Sequence, residues 1–242
     1  MNHLKPSDWL SDISRFVKLF DHTLLRADAT DAQVDRLCDE ALRFDFAAVC
    51  VNTSYVPLVA QKLHGSEVLT CCVVGFPLGA MATACKVEET LWATGEGAQE
   101  VDTVIQAGAY LSGRERDTRL DIAAVVRAAG EVPVKVILET SHLKPDDIRQ
   151  LTKWCSEEGA AFVKTSTGFG SRGASVEDVS TMAATIANLP TGTARPDIKA
   201  SGGIRALKFV EDLVRAGATR IGSSSSVSIL EEFAKARGIK LT

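Results

Sequence analysis

Short apolar, β-branched segments alternate with longer amphipathic ones along the whole chain, and this alternation limits its fold more than any other feature. Eight segments read as strands: Leu19–Thr23, Ala47–Asn52, Val68–Phe76, Glu100–Gln106, Val134–Glu139, Phe162–Thr167, Asp197–Ser201 and Thr219–Ser223. Helical patterns with start and stop signals lie between them. Asp28–Phe44 repeats apolar residues three and four apart. Lys144–Ala160 opens on Pro145 and acidic residues and stops at Gly159. Ser175–Leu189 has Ser175 as a cap with Asp178 three residues on, and Ala206–Ala218 stops at Gly217. Such alternation implies parallel strands joined by right-handed helical crossovers. Eight of them predict a closed (β/α)₈ TIM barrel, for which about 250 residues is the usual size. The open doubly wound sheet is the alternative, but it calls for an early GxGxxG and the chain has none. Residues 1–242 read as one domain, with residues 1–18 as a short helical extension capping the bottom of the barrel.

Charge and cysteine usage exclude several functions. A net charge of −4 argues against a broad nucleic-acid surface, which needs clustered Lys and Arg, while leaving room for a cationic pocket. The six cysteines form no CxxC pair and have no histidines at ligand spacing. Cys71 and Cys72 are strand neighbours and point to opposite faces. Free buried thiols in a reducing compartment, without a metal, are therefore expected. The first ten residues contain no signal-peptide core, and no apolar run approaches the roughly 20 residues of a membrane helix. The protein is expected in the cytoplasm, away from membranes.

Barrel enzymes carry their chemistry at the carboxyl ends of strands. Asp102, Lys164 and Lys199 each place a charge inside an apolar strand, and Lys135 is a fourth such residue. Buried charges are costly unless paired, neutralised or functional. A lysine near a strand start, as Lys135 is, reads equally as a solvated barrel-bottom residue. Asp102 alone would read as a salt-bridge partner. Lys164 is different, because it precedes the polar, glycine-rich TSTGFG. Asp102 and Lys164, two strands apart, share a barrel layer, with Lys199 half a layer away. Two close ammonium groups lower the pKa of one of them. A neutral lysine amine attacks carbonyls to form a Schiff base, and a nearby carboxylate shuttles protons.

A second constellation concerns phosphate. Strand seven ends in SGGIR (Ser201–Arg205) and strand eight in GSSSS (Gly222–Ser226). Barrels frequently bind phosphate in the loops after these two strands. Each loop alone would pass for a tight turn; together they point to a phosphate cradle, with Arg205 among the candidate substrate-binding residues.

DHTLL, VCVN, VGFPLG, EVDTVI, FVKTSTGF and KASGGIR, in this order from about Asp21 to Val227, resemble the successive strand motifs of the deoxyribose-phosphate aldolase family. The resemblance implies a class I aldolase on a (β/α)₈ barrel. Such an enzyme reversibly cleaves 2-deoxy-D-ribose 5-phosphate to D-glyceraldehyde 3-phosphate and acetaldehyde, with no metal or organic cofactor. It implies Lys164 as the Schiff-base lysine, Lys199 as the lysine that tunes it and Asp102 as the acid/base carboxylate. It places Asp21, Thr23, Cys50, Lys135 and Thr167 around the site, and Gly168, Gly202, Gly203, Gly222, Ser224 and Ser225 near the phosphate. Cys50 reads equally as a small apolar filler, and His22, alternating with Asp21 and Thr23, points away from the lumen. Gln106-Ala107 departs from the family's usual Asn-Ile, which bears on packing behind Asp102. The chain closes on GIKLT without the tyrosine that some relatives carry, so proton transfer would fall to Asp102 and water. Two other readings remain: a Schiff-base aldolase or transaldolase of another sugar phosphate, and a non-catalytic sugar-phosphate-binding barrel. Expected partners are small phosphorylated sugars and aldehydes, together with a second copy in a homodimer, as in many relatives.

Overall fold

The computed structural model of the protein describes residues 6–241. Its strands are β1 (Phe20–Leu24), β2 (Ala48–Asn52), β3 (Leu69–Val74), β4 (Glu100–Val104), β5 (Val134–Ile137), β6 (Phe162–Lys164), β7 (Asp197–Ser201) and β8 (Arg220–Ser223). They pair in parallel in the order β1 to β8, and β8 returns to β1, closing the barrel. The helices, in chain order, are α1 (Pro6–Ser11), α2 (Ile13–Val17), α3 (Asp31–Phe44), α4 (Val56–Leu63), α5 (Thr83–Gly95), α6 (Ala107–Leu111), α7 (Glu115–Ala129), α8 (Pro145–Glu157), α9 (Val176–Ala187), α10 (Leu207–Ala216) and α11 (Ser226–Arg237).

Local chemistry accounts for the helix starts. Gln33 accepts the Thr30 N–H at 3.0 Å, closing a capping box on α3. Ser175 caps α9 by accepting the Asp178 N–H at 3.1 Å. The inner face of α3 buries Val34, Leu37, Cys38 and Ala41, each apolar side chain contributing about 1–3 kcal/mol.

Strand parity separates two environments. Val49, Val51, Val136, Val163, Ala200 and Ile221 join the core beneath the helices, whereas Ala48, Cys50, Cys71 and Val73 form an apolar patch of their own. Cys72 packs with Val74 and Val101 away from Cys71, as expected of strand neighbours. His22 likewise faces outward, 2.9 Å from Glu40 and against Phe46.

Several strands end sooner than their apolar runs. β6 stops at Lys164, and β5 stops before Glu139, which turns left-handed at φ 52. Hydrogen bonding to neighbouring strands nevertheless continues through Leu138 and Thr165. The anticipated extension over residues 1–18 is two short helices where it is described, with residues 1–5 outside the described residues. Phe16 of α2 stacks on Phe233 of α11. Among the described residues, no helix is long and apolar enough to cross a membrane.

Candidate active site

Because side chains alternate along a strand, Glu100 and Asp102 project together from β4 into the lumen. Asp102 is in register with Lys135, and Lys164 with Lys199, which in turn is in register with Arg220. Lys199 is therefore a direct neighbour of Lys164 in the strand register. Its Nζ and that of Lys164 each lie 2.6 Å from Asp102 Oδ2. The other oxygen, Oδ1, receives Lys135 Nζ at 3.0 Å and Cys71 Sγ at 3.3 Å. Lys135 also meets Glu100 at 2.7 Å. Lys199 donates to Asp21 Oδ2, and Arg220 donates to Asp21 Oδ1 at 2.6 Å. All of these groups are buried except Arg220, which is partly exposed.

Above the cluster, a cavity of about 260 Å³ opens at the carboxyl ends of the strands. Lys164 lines it; Lys199 and Asp102 do not. Lys164 is thus the lysine of this network presented to an incoming molecule. Thr23, Thr167 and Gly168 form part of the wall, and Gly202, Gly203, Arg205, Gly222 and Ser224 form another part. Gly202 and Gly203 have φ of +89° and +73°, conformations that favour glycine. The rest of the expected set lies elsewhere. Asp21, Cys50 and Lys135, anticipated around the substrate, sit fully buried beneath the cavity. Their charges and hydrogen bonds are absorbed by one another, and Cys50 packs as part of the luminal apolar patch. Lys135 is no solvated bottom residue, because three luminal carboxylates lie within 4 Å of it. Ser225 is also off the cavity wall, its N–H donating to Ser223 Oγ at 2.9 Å. Gly222 does more than leave room for a ligand: a Cβ there would lie 3.1 Å from Lys199 Cε.

Residues 15–234 match the DeoC/LacD family aldolase description. The chain belongs to this aldolase family. It is 46% identical over 222 residues to the deoxyribose-phosphate aldolase of Carboxydothermus hydrogenoformans, covering 90% of this chain and 95% of that protein. It is 48% identical over 219 residues to that of Bdellovibrio bacteriovorus, covering 90% and 96%. The tetrameric deoxyribose phosphate aldolase of Aeropyrum pernix has the same fold, with a TM-score of 0.86 at 30% identity over 96% of each chain.

In this DeoC/LacD aldolase the luminal carboxylates dominate the electrostatics of Lys199. Burial alone would lower the Lys199 pKa, yet Asp102 and Asp21 outweigh it and hold Lys199 above its ordinary value. The same balance raises Lys135, where burial is outweighed by the carboxylates of Asp102, Glu100 and Asp21. Both remain cations. Burial would raise the Asp102 carboxyl, but the ammonium groups of Lys135, Lys164 and Lys199 hold it well below the carboxylate range. Burial pushes the Cys71 thiol up, so it stays a donor. Cys50, Cys71 and Asp102 place potential ligand atoms within 4.8 Å of one another, a grouping that linear spacing did not reveal. Lys135 donates to two of these three groups, so a cation there would have to displace an ammonium.

Sequence reasoning passed over several residues that surround this site. Glu100 and Arg220 share parity with Asp102 and Gly222, a two-residue spacing that was available as a signal. Glu139 accepts the Thr167 N–H at 3.2 Å as well as the Thr167 hydroxyl, and the Phe169 N–H donates to Thr167 Oγ1 at 3.0 Å. It thereby shapes the wall next to Lys164. Gln106, at the departure from the family pattern, lies outside the lumen and reaches Met81 O, Thr83 and Asp121 at 3.1–3.2 Å. Beside it, the buried Lys86 bonds Val104 O and Asp121, each at 2.6 Å, and so anchors the end of β4.

Proposed function

We propose that this chain is a class I aldolase that reversibly cleaves 2-deoxy-D-ribose 5-phosphate to D-glyceraldehyde 3-phosphate and acetaldehyde through a Schiff base on Lys164. One observation carries the reading: Lys164 is the lysine that faces the cavity, and its Nζ shares Asp102 Oδ2 with the buried Lys199. The relatives' activity and the glycine-rich wall opposite Lys164 support the choice of substrate.

In this reading the uncharged Lys164 amine attacks C1 of the open-chain aldehyde, forming a carbinolamine. Loss of water leaves a protonated imine, which serves as the electron sink. A base removes the proton of the C3 hydroxyl. The C2–C3 bond then breaks, its electrons pass toward the imine nitrogen, and glyceraldehyde 3-phosphate leaves. The remaining enamine takes a proton at C2, and hydrolysis of the resulting imine releases acetaldehyde and the free amine. Asp102 moves protons through water between these steps, held in place by Lys135 and Cys71 on its other oxygen. Lys199 keeps positive charge beside the imine nitrogen. Gly202, Gly203 and Ser224 take the phosphate, with Arg205 at the rim supplying charge. Electron flow into the protonated imine needs neither metal nor organic cofactor. The enzyme works in the cytoplasm on small phosphorylated sugars and aldehydes, and it self-associates as a homodimer.

Borohydride trapping with 2-deoxyribose 5-phosphate tests the reading. A reduced adduct mapped to the Lys164 peptide is the expected result. Absence of an adduct, beside a positive-control aldolase, overturns it and favours a binding barrel.

A further inference from the structure

Below the groups that meet substrate, the lumen holds one more pair of opposite charges, on β4 and β8. Arg220 Nη1 donates to Asp21 Oδ1 at 2.6 Å and to Glu100 Oε2 at 3.1 Å, and Nη2 reaches Glu100 Oε1 at 3.3 Å. The guanidinium lies 5.3 Å from the Phe162 ring centroid, so it is braced from a second side. Neither Arg220 nor Glu100 lines the cavity. The two Asp21 oxygens face different cations: Oδ1 has Arg220, while Oδ2 has Lys199, with Lys135 Nζ 3.6 Å away. A continuous chain of charged contacts therefore runs from Glu100 through Arg220, Asp21, Lys199 and Asp102 to Lys164. It crosses the closure of the barrel between β8 and β1.

We infer that Arg220, held by Glu100, is a positioning residue for the aldolase reaction: it fixes Asp21 so that Lys199 is divided between Asp21 and Asp102. The physical reason is competition for a single ammonium. With Arg220 on Oδ1, Asp21 has only one oxygen left to claim Lys199, and Lys199 can serve Asp102 as well. Without Arg220, the buried Oδ1 of Asp21 is left without its cation, and Asp21 draws Lys199 away from Asp102. Asp102 then closes on the Lys164 ammonium, and the free amine becomes scarcer. A bidentate guanidinium suits this task better than a lysine, because its planar fork can grip two carboxylates at once.

The pH dependence follows from the groups facing Asp21. These are Arg220 from β8, Lys199 from β7, Lys135 from β5, Asp102 and Glu100 from β4, and Cys71 from β3. Burial pushes the Asp21 carboxyl up, and Arg220 is foremost among the cations that hold it below the carboxylate range. Loss of Arg220 lets Asp21 protonate at a higher pH.

The kinetic part of this inference rests on the proposed aldolase reading, and the test separates the two. Arg220→Met, Arg220→Lys and Glu100→Gln are compared with the parent in the full chain. Cleavage of 2-deoxyribose 5-phosphate gives kcat, KM and the pH profile. Labelling of Lys164 by trinitrobenzenesulfonate, mapped by peptide mass spectrometry, reports the free amine without any sugar. Arg220→Met is expected to lower kcat about 100-fold with KM within about 2-fold, to move the acidic limb of the profile to higher pH, and to slow Lys164 labelling at a given pH. Arg220→Lys regains part of the rate by restoring the charge, and Glu100→Gln shows a smaller loss in the same direction. Parental kcat, profile and labelling in Arg220→Met and Glu100→Gln, with only the thermal midpoint reduced, overturn the inference. If Arg220→Met does not fold, the other two variants decide by the same readings. A parent that fails to cleave the sugar sinks the aldolase reading, and the labelling comparison still judges the positioning role.

Discussion

Lys164 and Lys199 meet at a single oxygen, the Nζ of each lying 2.6 Å from Asp102 Oδ2. They are register partners on adjacent parallel strands, so their side chains enter the lumen side by side. Only Lys164 reaches the cavity wall. In the proposed mechanism this division gives one lysine a covalent role and the other an electrostatic one.

Lys164→Met is expected to reduce turnover below about one part in 1,000 of the parent while leaving the far-ultraviolet circular dichroism unchanged. Asp102 keeps Lys199 and Lys135 in this variant, so no carboxylate is left without a cation. A coupled assay for glyceraldehyde 3-phosphate checks it; near-normal rates would remove Lys164 from the chemistry.

Lys199→Leu leaves Asp21 and Asp102 short of a buried counter-charge, which costs about 3–5 kcal/mol in stability. With Lys199 gone, Asp102 Oδ2 pairs with the Lys164 ammonium alone while Oδ1 keeps Lys135, and the limb of the pH–rate profile that needs free amine moves to higher pH. Denaturant titration and rates over a pH series read the two effects separately. An unchanged profile argues against coupling between the lysines.

Gly222→Ala tests packing under the proposed phosphate loop. The new Cβ would sit 3.0 Å from Ser201 Cβ and 3.1 Å from Lys199 Cε. Such overpacking costs about 1–3 kcal/mol and shifts Lys199, so kcat falls along with the thermal midpoint. A fall in stability alone, with parental kcat, would show that Lys199 tolerates displacement.

Ser224→Asp sets a carboxylate on the cavity wall where the phosphate is proposed to bind. Repulsion between unit charges about 4 Å apart near a protein surface amounts to several kcal/mol. KM for 2-deoxyribose 5-phosphate should therefore rise more than about 10-fold, while cleavage of unphosphorylated deoxyribose changes little. Equal losses on both substrates would place the phosphate elsewhere.

Acid stability follows from Asp21 and Asp102, both held below the carboxylate range by buried cations despite a burial penalty that pushes them up. A carboxyl whose folded pKa is depressed stabilises the fold fully above its unfolded value, and that contribution is lost as pH falls toward the folded value. Stability should be level above about pH 5 and decline below about pH 4. Asp21→Asn should be less stable at neutral pH and show a shallower decline. Chemical denaturation across pH measures both slopes, and parallel curves for parent and variant would remove Asp21 from this role.

Much of the molecule was legible in one dimension. Eight apolar segments alternating with capped helices determined the barrel, because strand and helix periods are local properties of the chain. Parity along β4, β6 and β7 pointed Asp102, Lys164 and Lys199 inward for the same reason, and glycine-rich ends marked the loops after β7 and β8. Tertiary structure decided what those charges do to each other. Arg220 and Asp21 lie 199 residues apart and meet only because β8 closes on β1. Lys135 looked equally suited to the solvated bottom of the barrel until the register set it against Glu100 and Asp102. The direction of the Lys199 shift depends on a sum over carboxylates from two other strands. Such sums depend on distances across the lumen, which barrel closure and strand stagger set and which neither spacing nor composition contains.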